Sequence, residues 1–275
     1  MKTLFEKIPE LDEFAEVCGY LSQRGWSEGS GGNLSFRIKT PSYIATKHKN
    51  TSNPVALPVA VPELAGQSLL ISGTETRARE IALRPAENIG LYIIADDGQS
   101  FYWLAGNKNP TSELPSHCAI HQTLCRYRPE QRAIIHTHPP LLIALTQCAE
   151  FQKAEHLSEL ILSMQSEARL QLPEGVGLLD FHVPGSLELG EASAKLMQYH
   201  QIILWYMHGA LASGKTLSHA LDQLEVVNKA AEIFWILKSA GCEPCGMSRE
   251  NMQKSLSQFG RLQRYEQAFN YQHRS

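Results

Sequence analysis

Short apolar blocks alternate with polar, turn-forming segments along the chain, and they predict intermixed helices and strands. Leu11, Phe14, Cys18 and Leu21 recur at helical spacing, so residues 11–24 are predicted to form an amphipathic helix. Further helices are predicted at 82–90, 112–127, 141–147, 187–200, 217–240 and from 248 onward. Strands are predicted at 34–38, 68–72, 91–94, 100–104, 133–138 and 202–207. Because no linker separates these elements, a single domain over residues 1–275 is expected.

The strand within residues 133–140 (AIIHTHPP) ends in two histidines separated by one residue. Beta-branched residues precede His136, and two prolines follow His138, so the strand is predicted to end at a loop. Residues i and i+2 of a strand point to the same face. The two imidazoles are therefore predicted to project together as half of a metal site, although a satisfied core pair explains them about equally well.

A third histidine, His208, follows the apolar run at 202–207 and precedes Gly209. Three imidazoles with no obligatory fourth protein ligand are typical of a zinc ion that keeps one position open for substrate. Together with His136 and His138, this residue predicts a catalytic zinc site rather than a structural one.

Two turns rich in small residues adjoin predicted strands and are candidate anion sites. Residues 26–33 (WSEGSGGN) run into the first strand, and residues 72–76 (SGTET) follow the second. Glycines let backbone N–H groups approach an anion closely, and Asn33 adds a side-chain donor. A plain hairpin turn explains residues 26–33 equally well.

A helix is predicted to open within residues 109–117 (NPTSELPSH) and to run to about Tyr127. Ser112 is the predicted N-cap, and Thr111 and Ser112 place hydroxyls beside a helix N-terminus, where an anion is favoured. Glu113 is predicted in the first turn. An acid there is a candidate proton carrier, but it is also a common partner of the helix dipole.

Two further patterns receive an inert interpretation. His117 and His121 are four residues apart on the predicted helix and form a rival metal pair, but no third ligand accompanies them and helical histidines usually satisfy local hydrogen bonds. Cys242 and Cys245 form a CxxC motif that lacks the strand-before, helix-after setting of a redox dithiol. The six cysteines of the chain fit free thiols in a reducing compartment.

Charge and hydropathy exclude two classes of partner. The net charge is -3, and no cluster of Lys and Arg interleaves with aromatic residues, so nucleic acid is not expected as a partner. The first residues (MKTLFEK) lack an apolar signal core, and no run approaches the roughly 20 apolar residues of a membrane span. A cytoplasmic protein is expected. Residues 40–67, rich in Pro, Ser, Thr and Asn, are predicted to form a surface excursion with one or two irregular strands.

Five short motifs, in this order, resemble the class II aldolase/adducin family. They are Gly-Gly-Asn-Leu-Ser at 31–35, Ser-Gly-Thr at 72–74, Pro-Thr-Ser-Glu at 110–113, His-Thr-His at 136–138 and His-Gly at 208–209. The likeness extends from about residue 10 to 250. It implies an α/β fold with a central, mostly antiparallel β-sheet flanked by helices, assembled as a homotetramer with active sites at subunit boundaries.

The resemblance also implies a role for each matching residue. His136, His138 and His208 match the zinc ligands of the family, and Glu113 matches its acid/base glutamate. Glu167 matches a second glutamate near the sugar or aldehyde portion of the substrate. The positions that match the phosphate-binding residues are Gly32, Asn33, Gly73, Thr74, Thr111 and Ser112.

The activity implied is the cleavage of a ketose phosphate into dihydroxyacetone phosphate and an aldehyde, with one zinc ion per subunit. Narrower matches at 110–117, 173–177, 183–185 and 208–217 point to L-rhamnulose 1-phosphate, which would release L-lactaldehyde. The alternatives are cleavage of L-fuculose 1-phosphate, epimerisation of L-ribulose 5-phosphate, and a non-catalytic, adducin-like assembly module.

Overall fold

The computed structural model describes residues 5–39 and 53–272. These residues form two compact units. The first contains the described residues up to Thr137 together with His182–Gln198 and Ser213–Ala220. The second contains His138–Phe181, Tyr199–Ala212 and the described residues from Leu221 onward. The expectation of a single domain over residues 1–275 stays a prediction.

A helix lies at or across each predicted position, but the segment predicted at 82–90 passes into a strand at Ile89, and the helices at Ala154–Ile161 and Ser166–Gln171 were not predicted. In the described residues they are α1 (Pro9–Gln23), α2 (Ala78–Leu83), α3 (Pro85–Asn88), α4 (Leu114–Tyr127), α5 (Pro140–Thr146), α6 (Ala154–Ile161), α7 (Ser166–Gln171), α8 (Leu187–Met197), α9 (Leu217–Ser239), α10 (Arg249–Gln258) and α11 (Leu262–Gln272). Thr216 accepts a hydrogen bond from the N–H of His219 at 3.1 Å, and Ser248 caps α10 in the same way. The one polar helix predicted after Ser248 is therefore two helices. The first of them ends at Phe259, whose side chain is exposed.

Strands are found at or within a few residues of every predicted position. They are β1 (Asn33–Ile38), β2 (Val55–Ala56), β3 (Ser68–Ser72), β4 (Ile89–Ile94), β5 (Ser100–Gly106), β6 (Ala133–Thr137), β7 (Gly177–Leu179), β8 (Ile202–Trp205) and β9 (Gly209–Gly214). Residues 40–52 of the predicted surface excursion lie outside the described residues. The remainder contains β2, a two-residue exposed strand.

In the first unit, strands pair in the order β2-β5-β4-β3-β1-β6, and every neighbouring pair is antiparallel. Strand β3 is buried along its whole length and is almost continuously apolar, as a strand covered on both faces should be. Strand β1 is also fully buried, yet it alternates apolar residues with Asn33, Ser35 and Arg37. A buried polar face needs internal hydrogen-bond partners, and it is this face of β1 that leads to the functional residues.

Helix α4 lies in the first unit and packs against α8. Its buried face carries Cys118, Ile120 and Leu124, together with the two histidines at 117 and 121. Cys118 belongs to an apolar cluster that β3, β4 and β5 complete with Leu69, Ile71, Tyr92, Ile94 and Phe101. This cluster holds α4 against the sheet, and so it sets the position of the N-terminus of α4 along β1.

In the second unit, β8 pairs antiparallel with β9 and parallel with β7. The rings of Phe151 and Phe234 meet edge to face, with centroids 5.3 Å apart. Arg169 is buried, donates to Glu159 at 2.5 Å and lies 5.0 Å from the ring centroid of Tyr265. With one parallel pair among antiparallel ones, the predicted α/β class with a mostly antiparallel sheet flanked by helices is confirmed. None of the helices in residues 5–39 and 53–272 is long and apolar enough to cross a membrane.

Candidate active site

The three histidines singled out by the sequence come together. His136 is in β6, His138 follows the end of that strand, and His208 lies in the turn between β8 and β9. One ligand atom from each of the three rings lies within 4.8 Å of the others. Imidazole nitrogens bound to one tetrahedral zinc ion at about 2.0–2.1 Å are about 3.4 Å apart. The donor set and its spacing therefore fit a metal ion, and the cluster could bind one.

A strained turn presents His208. Met207 has a φ of 56°, in the left-handed region that a residue other than glycine rarely adopts. The turn is held by two hydrogen bonds: the N–H of Met207 donates to Thr146 Oγ1 at 3.1 Å, and the N–H of His208 donates to the carbonyl of Trp205 at 3.1 Å. The imidazole lies 5.4 Å from that of His138, centroid to centroid. The tight turn thus directs His208 toward His138.

Glu113 is the carboxylate next to this cluster. Its Oε2 lies 3.6 Å from His136 Nε2 and accepts a hydrogen bond of 3.1 Å from Asn33 Nδ2. The side chain is buried. A carboxylate held between a histidine of this cluster and an amide donor could move a proton beside the cluster.

The N-cap of α4 was predicted one residue too early, at Ser112. Glu113 itself is the N-cap of α4, which begins at Leu114 with Pro115 in its first turn, and Ser112 precedes the helix. Glu113 makes no side-chain capping bond, because its carboxylate is turned to Asn33 and His136.

The first glycine-rich turn is packed against the strand that carries His136. Gly32 has a φ of 76°, and a Cβ atom added there would lie 2.9 Å from the carbonyl oxygen of His136 and 2.9 Å from Ser27 Oγ. Next to it, Asn33 uses its amide for Glu113 and His117. The amide of Asn33 thus orients the carboxylate of Glu113. The sequence predicted only that this amide would donate to a bound anion.

The other candidate phosphate residues lie on two adjoining turns. Gly73 forms a bridge with Pro110, the N–H of Thr74 donates to Asn109 at 3.0 Å, and the N–H of Thr111 donates to Ser72 at 2.9 Å. The backbone N–H of Gly73 is likewise used, by Asn88. These three backbone N–H groups are therefore engaged within the protein, and the assignment of the residues to phosphate binding stays a prediction. The exposed hydroxyls of Thr74 and Ser112 are the donors that these turns offer outward.

The described hydrogen bond of Glu167 involves none of the candidate residues named so far. Glu167 is exposed on α7, and its Oε1 accepts a hydrogen bond from Gln171 Nε2 at 3.0 Å. Its described contact therefore stays within its own helix, and its role stays a prediction.

The rival histidine pair is buried and hydrogen-bonded, as the inert interpretation predicts. Ser35 Oγ lies 2.6 Å from His117 Nδ1 and 2.8 Å from His121 Nε2. Burial lowers the pKa of His117 to about 3, and burial followed by the charge of Arg37 lowers the pKa of His121. Sequence reasoning missed Ser35. The signal was present, because the i, i+2 spacing of Asn33 and Ser35 on β1 matches the i, i+4 spacing of the two histidines on α4.

Comparisons with known proteins are consistent with this geometry. A family model described as the class II aldolase and adducin N-terminal domain matches residues 12–235. A protein named rhamnulose-1-phosphate aldolase from Bacteroides thetaiotaomicron is 36% identical over 260 residues, which cover 92% of this chain and 97% of that protein. One of the same name from Escherichia coli is 32% identical over 243 residues, covering 86% of this chain and 88% of that protein.

A solved structure is also similar. The crystal structure of a sugar-phosphate aldolase from Thermotoga maritima matches with a TM-score of 0.75 and 31% identity. The match covers 86% of this chain and 98% of that one.

Proposed function

The chain belongs to the class II aldolase and adducin family, as a carbon–carbon lyase, and from that premise we propose that it cleaves L-rhamnulose 1-phosphate into dihydroxyacetone phosphate and L-lactaldehyde. The observation that carries the proposal is the spacing of His136, His138 and His208 beside the buried carboxylate of Glu113. The names of the relatives support the choice of sugar.

The three histidines are the residues that would hold a zinc ion, one per subunit. Neutral imidazoles are good zinc ligands, and a set of three leaves a coordination position for substrate oxygens. When bound, zinc would supply Lewis-acid stabilisation of the negative charge that develops as the bond between C3 and C4 breaks. Zinc is preferred over magnesium or calcium because the donors are nitrogens rather than oxygens.

Glu113 is proposed as the general acid/base. Its carboxylate is held by Asn33 Nδ2, so it stays oriented toward the histidine cluster while it takes up or returns a proton. Glu167 is proposed as a second acid near the aldehyde portion. The homotetramer implied by the family supports that role, since an exposed glutamate can reach a site shared with a neighbouring subunit.

The phosphate group is proposed to bind at the three turns described above. The candidate residues are Gly32, Asn33, Gly73, Thr74, Thr111 and Ser112. Hydroxyl and amide donors without Lys or Arg hold a phosphate loosely enough for the product to leave. A cytoplasmic location is proposed alongside, because the substrate is a phosphorylated intermediate.

Metal analysis paired with an assay for dihydroxyacetone phosphate tests the proposal. Purified protein should contain about one zinc ion per subunit, in keeping with three histidine ligands. Removal of the metal with a chelator should abolish cleavage, and zinc should restore it. His138→Ala and His208→Ala should lose the metal, whereas His156→Ala, which alters a histidine outside the cluster, should keep it. Active protein without metal would overturn the zinc assignment.

Substrate choice is tested by turnover of L-rhamnulose 1-phosphate, L-fuculose 1-phosphate and L-ribulose 5-phosphate side by side. The first should be preferred. Preference for another sugar would replace the substrate but keep the reaction, and no turnover of any by zinc-loaded protein would favour an assembly module. Sedimentation of the same sample should show a tetramer.

Glu113→Gln tests the proton carrier. The variant should keep zinc and its oligomeric state but lose at least about a hundredfold in turnover, since general acid/base catalysis contributes roughly 10²–10⁴-fold. Glu130→Gln, which changes an exposed glutamate beyond the end of α4, is the control and should be fully active. Full activity of Glu113→Gln would move the role to Glu167.

A further inference from the structure

A line of buried polar side chains leads from Glu113 into the interior of the first unit. Asn33 Nδ2 donates to Glu113 Oε2 at 3.1 Å, and Asn33 Oδ1 lies 2.6 Å from His117 Nε2. On the other side of that ring, Nδ1 lies 2.6 Å from Ser35 Oγ, which also lies 2.8 Å from His121 Nε2. Ser35 and His121 are 0% exposed and His117 is 1% exposed. Side chains buried this deeply depend on one another for their hydrogen bonds.

The donor and the acceptor of each link follow from the carboxylate end. A carboxylate oxygen accepts, so the NH2 group of Asn33 faces Glu113 and its carbonyl faces His117. His117 then carries its hydrogen on Nε2 and accepts at Nδ1, which makes Ser35 the donor to it. The oxygen of Ser35 accepts in turn from the Nε2–H of His121. Every hydrogen in the line is therefore directed toward Glu113.

We propose that His117, Ser35 and His121 are positioning residues that lock the amide of Asn33 with its NH2 group toward Glu113. Aligned hydrogen bonds polarise one another, so the line presents partial positive charge to the carboxylate. The proposal deepens the proposed function, because it rests on Glu113 as the proton carrier.

The lock is needed because an asparagine amide can turn over and exchange its oxygen and nitrogen. In the turned form, the carbonyl oxygen of Asn33 would face the carboxylate of Glu113, and neither would have a hydrogen to share. A neutral histidine with one donor and one acceptor nitrogen selects a single orientation. Burial favours that neutral form, since it lowers the pKa of His117 to about 3.

The line is anchored in rigid elements. Ser35 lies within β1, where it pairs with Ile71 of β3 on one side and with Ile134 of β6 on the other. His117 and His121 are one turn apart on α4, whose N-cap is Glu113. Because one strand and one helix carry all the members, their spacing is set by the fold itself. The orientation of Asn33 is therefore established before substrate or metal binds.

Two substitutions of His117 separate positioning from packing. His117→Gln can place an amide N–H where Nε2 lies and keep the donor to Asn33, whereas His117→Asn can keep only the acceptor for Ser35 at the Nδ1 position. We expect His117→Gln to retain kcat within about twofold and His117→Asn to lose about tenfold, the loss expected for one buried hydrogen bond, at equal zinc content. Ser116→Ala is the control, because within the described residues Ser116 Oγ is buried next to His117 and has no hydrogen-bond partner.

The two results have opposite meanings. A kcat loss confined to His117→Asn supports the lock. Equal kcat values in the two folded variants, whether both high or both low, would overturn it, since a packing role does not distinguish a donor from an acceptor.

Nitrogen-15 NMR of histidine-labelled wild-type protein provides a readout that needs neither substrate nor activity. We expect His117 and His121 to be neutral, each with its hydrogen on Nε2. Assignment to His117→Gln and His121→Gln spectra identifies the signals. A hydrogen on Nδ1 of His117 would overturn the proposal even if the protein is a fully active aldolase. Conversely, the expected tautomers in a protein that cleaves no sugar phosphate would refute the proposed function alone.

Discussion

Replacing Gly32 with alanine tests how tightly the first turn is packed against β6, the strand that carries His136. Two separate costs arise. The φ of 76° is left-handed, which costs an L-residue roughly 1–2 kcal/mol. The new Cβ would also lie 2.9 Å from the carbonyl oxygen of His136, which cannot move without moving β6. Overpacking of this kind typically costs about 1–3 kcal/mol, so the variant should be destabilised by about 3 kcal/mol.

Gly29→Ala is the matched control, because Gly29 has a φ of 56° but nothing within 4 Å of the position of a Cβ. It should lose only the backbone cost of about 1 kcal/mol. Thermal melts at one protein concentration, followed by circular dichroism, measure the difference. About 1 kcal/mol shifts the Tm of a protein of this size by roughly 2–4 °C, so Gly32→Ala, at about 3 kcal/mol, should melt about 6–12 °C below wild type.

The melts are run with chelator and again with excess zinc. The chelator arm isolates the packing cost, because a metal ion bound to the folded state adds stability of its own. In the zinc arm, Gly32→Ala should recover less stability than wild type, since its extra methyl displaces His136. Equal melting temperatures for the two variants with chelator would refute the close approach of Gly32 to β6.

Three further predictions concern other parts of the molecule. Arg169→Met should lower the free energy of unfolding by about 1.5–3 kcal/mol, because the charge-assisted bond from the buried Arg169 to the partly exposed Glu159 is lost; urea denaturation measures this. His117 has a folded pKa of about 3 against a usual 6.5, so its contribution to stability is complete above pH 6.5 and is lost as the pH falls toward 3. Between pH 6 and 4 the wild type should therefore lose up to about 1.4 kcal/mol more per pH unit than His117→Gln, as unfolding titrations would show. Cys242 and Cys245 are exposed free thiols, so their joint replacement by serine should leave zinc content and turnover unchanged.

The elements of the fold could be predicted because their signals are local. The hairpin of β4 and β5, for example, follows from apolar runs on either side of an Asp-Asp-Gly turn. The proximity of His136 and His138 to His208 could also be predicted, because apolar runs precede these histidines in the sequence. Local signals place each residue at the end of a strand, and the metal chemistry then predicts that the ends meet.

Long-range polar partners could not be predicted in this way. Asn33 and Glu113 are 80 residues apart in sequence, and the direction of the asparagine amide depends on a histidine of another element. The N-cap of α4 was misplaced for a related reason. The backbone of Thr111 is tied to Ser72 of β3, so tertiary contacts decide where the helix begins and override the capping preference of Ser112.

The turn that presents His208 has a practical consequence for spectroscopy. The indole of Trp205 is buried, and its centroid lies 5.0 Å from the imidazole of His208. Ring protonation or ligation of that histidine changes the electric field at the indole, so it should alter the emission of Trp205. With Trp26, Trp103 and Trp235 replaced by phenylalanine, the protein would carry a single tryptophan, and its emission, excited apart from that of tyrosine, would report metal loading in real time without an attached dye.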